Sequence, residues 1–270
     1  MNEQVTIEIK SGTGILTLNR PEGFNAFGAS MISNLAEKLI SLSSNEDVVG
    51  VVLTGAGKAF CAGGDLKWLS TCGMTPGAAF HALAAAYHQA IVEIRRMPKP
   101  VVAAVNGLAA GGGFSMALAC DFRVMARSAV LRQAYTSNGL SVDGGGTYTL
   151  PRLVGLAKAM EIVAFDRPIR AEQALAWGLV TEVVEEGRAV NRAMAMIQEI
   201  AKLPLSSFLA SKKLLTYSFH TPFEHQLEKE RDFLSWCADH PNGQEGMKAF
   251  LEKRSPVYNS RERRAKSKES

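Results

Sequence analysis

The sequence is poor in the residues that staple, ligate or interrupt a fold. Its 270 residues hold 4 cysteines and 10 prolines, and aromatic side chains make up 7%. Cys61, Cys72, Cys120 and Cys237 form no CxxC pair and have no HxxxH partner, which excludes a locally assembled zinc site, a thioredoxin motif and a disulfide framework. They read as free thiols of a reducing compartment. Among His81, His88, His220, His225 and His240 no two have HExxH spacing, so no metal site is expected. The N-terminus lacks the apolar run of a signal peptide: Met1 to Lys10 is charged and alternating, which points to the cytoplasm. Val101 to Ala119 is the one stretch resembling a membrane span, but Asn106 and Gly111-Gly112-Gly113 make it a buried element of a soluble protein instead. A strong charge of one sign is missing too. The net charge is +4, and Arg261 to Ser270 carries five Lys or Arg against two Glu, so the rest is nearly neutral and offers little to a nucleic acid.

What is present is an ordinary globular composition, 47% hydrophobic and 21% charged, with 24 glycines. Val5, Ile7 and Ile9 alternate, a Gly12-Thr13-Gly14 turn follows, and Ile15 to Leu18 completes a hairpin. Ser30 can cap a helix whose Met31, Leu35, Leu39 and Leu42 recur at helical spacing. Val48 to Thr54 is a run rich in β-branched residues, of the kind buried on both faces. The order returns as a helix from Pro76 to Arg96, a strand Val101 to Val105, a short buried helix after the triple glycine and a strand near Phe122 to Met125, with no repeat of sequence. From Thr147 the chain turns helical, with one later strand candidate at Leu179 to Val184. This predicts a mixed α/β core over 1–204 and a helical region over 205–258 whose apolar stripes need covering by the core or another subunit. The basic tail 259–270 reads as a frayed end.

Three glycine-rich turns follow apolar strands: Thr54 to Gly57, Cys61 to Asp65 and Asn106 to Gly113. None fits a phosphate-binding loop or GxGxxG. Each is either a tight turn with close backbone packing or a place where N–H groups reach a ligand, two of them able to hold one oxyanion. Between Val101 and Leu150 the only acidic residues are Asp121 and Asp143, with no histidine, so acid–base schemes are few. Asp121 reads as a cap or turn residue, and spacing alone allows the same for Asp143 before Gly144-Gly145-Gly146.

These residues carry a resemblance. Leu18 to Pro21 with Asn25-Ala26, Thr54 to Leu66, Lys99 to Gly113, Cys120-Asp121, Gly145 to Thr147, Leu150 to Gly155, Ala174 to Val180 and Glu245 to Arg254 are collinear with the motifs of the enoyl-CoA hydratase/isomerase, or crotonase, superfamily over about 250 residues. The resemblance implies a ClpP-like spiral of ββα units, a C-terminal helical region that builds homotrimers or hexamers, acyl-CoA thioester substrates and no cofactor beyond the CoA moiety. It places the two oxyanion-hole N–H donors on Gly64 and Gly112. It also places CoA contacts at Phe24, Ala26, Ala62, Asp65 and Leu66, and at Phe250 and Lys253 toward a neighbouring subunit's CoA. Trp68, Met74 and Ala84 to Ala86 fall where acyl-site walls vary.

The acid–base residues choose the reaction. Hydratases of the superfamily use two glutamates, one just after the triple glycine and one twenty residues on, and those positions hold Ser115 and Tyr135 here. Asp143 matches the aspartate of several isomerase members, which can take an α-proton and return it at the γ-carbon. Burial among Leu140, Val142 and the glycines is expected to raise its pKa. Hydrolytic 4-chlorobenzoyl-CoA dehalogenases instead use an aspartate at the Asp143 position as nucleophile and a histidine at the His88 position as base, with tryptophan where this chain has Tyr135. The readings therefore run from an isomerase with Asp143 as single acid/base, through a dehalogenase, to a hydratase. An RNA-binding or non-catalytic acyl-CoA-binding homologue is the alternative outside catalysis.

Overall fold

The computed structural model describes residues 3–258; the tail 259–270, expected to fray, lies outside them. Contacts divide the chain into a unit ending at Ala195 and another beginning at Met196.

In the first unit β1 (Val5–Lys10) and β2 (Thr13–Leu18) form the expected antiparallel hairpin. Its turn is Ser11-Gly12, both with positive φ (48° and 74°), because Thr13 already pairs with Lys10. Then α1 (Ala29–Ser44) buries Met31, Leu35, Leu39 and Leu42 as the spacing predicts. Its N-cap is Gly28 rather than Ser30, which sits inside the first turn. The next elements repeat an order: β3 (Gly50–Gly55), β4 (Ala59–Cys61), α2 (Leu66–Thr71) and α3 (Pro76–Arg96); β5 (Val101–Val105), β6 (Leu108–Ala110) and α4 (Gly112–Ala119); β7 (Phe122–Ala126), β8 (Val130–Arg132), α5 (Gly146–Val154) and α6 (Leu156–Phe165). The unit continues through β9 (Ile169–Arg170), α7 (Ala171–Ala176) and β10 (Glu182–Val184) into α8 (Ala189–Ala201), within which the division falls.

The strands sort into two sheets. One has the order β1-β2-β3-β5-β7-β10 and the other β4-β6-β8-β9. Each ββα turn thus lays one strand in each sheet and returns by a helix, the spiral that the resemblance implies. The strands β3 and β5 are buried at every residue, as uninterrupted apolar runs should be. Between the two strands of a turn the chain bends tightly, and successive bends stack. A Cβ on Gly55 would fall 2.2 Å from the Ala59 carbonyl oxygen, and one on Gly107 2.1 Å from that of Lys58. Asn106 Oδ1 accepts from the Gly55 N–H, and its Nδ2 donates to the Gly57 carbonyl. Buried Asn25 donates to the Ala56 and Ala59 carbonyls and accepts from the Arg20 N–H. For the Thr54–Gly57 turn, close packing is therefore the reason for glycine.

The second unit contains α9 (Leu205–Ser218), α10 (Phe223–Asp239) and α11 (Pro241–Leu251), with α10 packed against the other two. Its apolar side chains include Leu234, Phe250 and Leu251, which are 73%, 84% and 80% exposed. Among the described residues no helix is long and apolar enough to cross a membrane.

Candidate active site

The spiral brings the ends of two of its turns together. After β4 the chain runs through Ala62 to Gly64 alongside Phe27: the Phe27 N–H donates to the Gly63 carbonyl (2.8 Å) and the Asp65 N–H to the Phe27 carbonyl (2.9 Å). After β6, Gly111 turns at φ 53° and α4 begins at Gly112. The two turns touch. A Cβ on Gly112 would lie 2.7 Å from the Phe27 ring, and one on Gly113 1.9 Å from the Cys61 carbonyl oxygen, so these two glycines are steric requirements, while Gly111 is favoured by its positive φ. Gly64 has no such crowding; a Cβ there would meet only Leu83 at 3.4 Å and Leu69 at 3.8 Å. Neither the Gly64 nor the Gly112 N–H has an acceptor among the described residues. Cys61, buried beside them, is no nucleophile, since burial pushes its thiol up to about 12.

Opposite these glycines stand three side chains. Asp143 precedes Gly144 and Gly145, whose φ values of 62° and 73° carry the chain into α5. Its carboxylate is 37% exposed rather than buried as the sequence suggests, and its Oδ1 lies 2.6 Å from Nε2 of His88, a half-exposed residue of α3. Tyr135 is buried, which pushes its phenol above the ordinary value, so it stays protonated at neutral pH. Nearby, the Ser115 Oγ is fully buried with no hydrogen-bond partner among the described residues. Neither Ser115 nor Tyr135 is a carboxylate.

Gly64, Gly112, Tyr135 and Asp143 line one cavity of about 290 Å³, together with Phe27, Phe80, His81, Leu83, Ala84, Tyr87, Leu140, Ser141 and Val142. His88 adjoins it through Asp143. Tyr87 is a site residue the sequence reasoning passed over. It is buried on the apolar stripe of α3 with Ala79, Leu83 and Ile94, its ring centroid lies 4.8 Å from that of Phe27, and its hydroxyl donates to the Gly112 carbonyl. A polar tip on an otherwise apolar stripe was the available signal. Of the acyl-wall candidates Ala84 lines the cavity, whereas Trp68 lies over Gly28 and Met74 is exposed.

Phe24, Ala26, Ala62, Asp65 and Leu66 are absent from that wall and form a neighbouring strip. The Ala62 N–H donates to the Phe24 carbonyl, and Phe24 and Leu66 are both 53% exposed. The Asp65 carboxylate is engaged within the fold: it caps α2 by accepting from the Lys67 and Trp68 N–H groups and pairs with Arg20 at 2.5 Å. Partial burial works to raise its pKa, but Arg20 and the two N–H groups outweigh it and hold it below the ordinary value. Phe250 and Lys253 are exposed residues at the end of the second unit.

Comparison with known proteins agrees with this architecture. Residues 8–261 match the family model described as enoyl-CoA hydratase/isomerase. The chain is 35% identical to the 1,2-epoxyphenylacetyl-CoA isomerase of Escherichia coli K12 over 96% of its length and 99% of that protein's, and 37% identical to a probable enoyl-CoA hydratase of Rhodobacter capsulatus over 95% and 98%. The crystal structure of an enoyl-CoA hydratase from Polaromonas sp. JS666 superposes with a TM-score of 0.89 at 37% identity, covering 94% of this chain and 99% of that one. The fold, the paired glycine turns and these likenesses together make the chain a member of the enoyl-CoA hydratase/isomerase family, the crotonases.

Proposed function

We propose that the protein is an acyl-CoA isomerase that moves a carbon–carbon double bond from the 3- to the 2-position. The thioester oxygen sits between the Gly64 and Gly112 N–H groups. Asp143 takes the proton from the α-carbon, the resulting dienolate oxygen is held by the two donors, and Asp143 returns the proton to the γ-carbon. No proton is gained or lost overall, and the chain needs no cofactor beyond the CoA of its substrate. The observation that carries this reading is that Asp143 supplies the only carboxylate among the described residues lining the cavity. Hydration by two carboxylates has no second one to use, because Ser115 and Tyr135 stand in those places. The CoA portion lies along Phe24, Ala26, Ala62, Asp65 and Leu66. In a homotrimer or hexamer, Phe250 and Lys253 reach a neighbour's CoA, and the exposed apolar side chains of the second unit are covered.

The test is conversion of a 3-enoyl-CoA in deuterated buffer by wild type and Asp143→Asn, following the conjugated product and deuterium at the α- and γ-carbons. Conjugation that disappears in the variant supports the isomerase; absence of both conjugation and exchange with wild type overturns it. One observation favours a second reading, the 2.6 Å contact between His88 and Asp143. In a hydrolytic aryl-CoA dehalogenase Asp143 would displace halide to form an aryl ester, and His88 would activate the water that cleaves it. Halide release from 4-chlorobenzoyl-CoA, lost in His88→Ala, would establish that reading.

A further inference from the structure

We propose that Tyr87 and His88, consecutive residues of α3, are positioning residues that together set the distance between the oxyanion turn and Asp143. Neighbours on a helix point about 100° apart, so one can face inward while the next faces sideways. Tyr87 is 2% exposed and donates its hydroxyl to the Gly112 carbonyl, and its ring also fills the space beside Gly144, where a Cβ would be 2.3 Å away. His88 faces the other way, and its Nε2 is the one hydrogen-bond partner of the Asp143 carboxylate among the described residues. An ionised carboxylate only accepts, so the proton of that bond sits on Nε2. With Oδ1 engaged, Oδ2 is left as the base. Both contacts hang from one helix of 21 residues anchored by buried Leu83, Ala90, Ile91 and Ile94. The carboxylate needs such a hold, since it is partly exposed and two glycines of positive φ follow it.

The clamp deepens the isomerase reading and rests on it for the choice of probe. With the full-length enzyme and 3-hexenoyl-CoA, Tyr87→Phe and His88→Ala each lower kcat by roughly 10- to 100-fold, the scale of a small misplacement, with KM within about threefold. His88→Gln recovers most of the loss, because its amide N–H lies the same number of bonds from Cα and can donate to Oδ1 without titrating. The double variant Tyr87→Phe/His88→Ala loses less than the product of the two losses, since both ends set one distance. A His88→Gln enzyme as poor as His88→Ala would make His88 a titrating base and overturn the clamp. So would losses confined to KM. If wild type does not convert the probe, the isomerase reading falls by itself, and the clamp is decided without turnover by the imidazole ¹⁵N resonances of His88. Resonances that move in Asp143→Asn support it, and identical resonances in wild type and variant overturn it.

Discussion

In the proposed reaction, backbone carries the chemistry at the Gly112 end of the cavity and side chains carry it at the Asp143 end. The first end has no freedom: Gly111 to Gly113 are buried against Phe27, Gly63 and Cys61, and an added methyl would collide at two of the three positions. The second end is half in water, held by one hydrogen bond from a side chain that is itself 53% exposed. Groups that stabilise charge without reorganising belong in the rigid part, because their value comes from being fixed before the reaction. Groups that select the reaction can sit at the margin, where one substitution changes the chemistry and leaves the core alone. Relatives of similar identity carrying isomerase and hydratase names fit that division.

The largest effect should come from the marginal end. Asp143→Asn is expected to lower kcat on a 3-enoyl-CoA by about 10⁴-fold, because in the proposed isomerisation a single group serves as both base and acid. Its melting temperature should match wild type, since the amide still meets His88 at a partly exposed position. Comparing turnover with thermal unfolding checks both; a destabilised Asp143→Asn would break the contrast. Next comes the rigid end. Gly112→Ala pushes a methyl to within 2.7 Å of the Phe27 ring and shifts one donor, so kcat should fall roughly 100- to 1,000-fold, the cost of an oxyanion-hole donor. Activity that survives this change would mean the oxyanion sits elsewhere.

How much of this was legible beforehand divides along the same line. Thr75 caps α3, Pro76 opens it and Val101–Val105 is buried throughout, so these elements stand where local pattern puts them. The glycine turns were legible as turns, since backbone crowding leaves its mark on residue type. Separating the packing turns from those proposed to face a ligand required the contacts of Gly55 and Gly107 on one side and, on the other, the N–H groups of Gly64 and Gly112, which have no acceptor among the described residues. The pairing of His88 with Asp143 spans 55 positions and leaves no local trace. The expected burial of Asp143 failed because its apolar sequence neighbours do not enclose it. Asp65, read as a ligand-facing residue, has its carboxylate occupied by Arg20 and the start of α2, a role its neighbours could equally have suggested.

The third effect is on stability rather than rate. Asn25→Ala removes three hydrogen bonds at a buried residue with φ of 56°, leaving the Ala56 carbonyl and the Arg20 N–H without that partner. A loss of about 3 kcal/mol in denaturant unfolding is expected for buried polar groups left unsatisfied. If the rigid end is as cooperative as its packing implies, kcat of the folded fraction falls as well. A purely thermodynamic loss would show that the stacked turns support the fold without tuning the site.

The smallest effect sharpens the contrast most, because it adds a methyl at the rigid end while leaving the donor N–H of that residue in place. Gly64 has backbone angles outside the left-handed region and room for a Cβ at 3.4 Å from Leu83, so Gly64→Ala should fold normally and keep its N–H. Leu83 lines the cavity, and the new methyl therefore takes space from the acyl group rather than from the protein. For an acyl chain that fills the pocket, KM should rise about tenfold, the scale of one methyl group in an apolar site. For the shortest acyl-CoA turned over, both constants should stay near wild type. A fall in kcat that is equal for short and long chains would mean the methyl has moved the donor itself. The glycine at 64 would then be a requirement of backbone geometry, like that at 112, instead of clearance for the substrate.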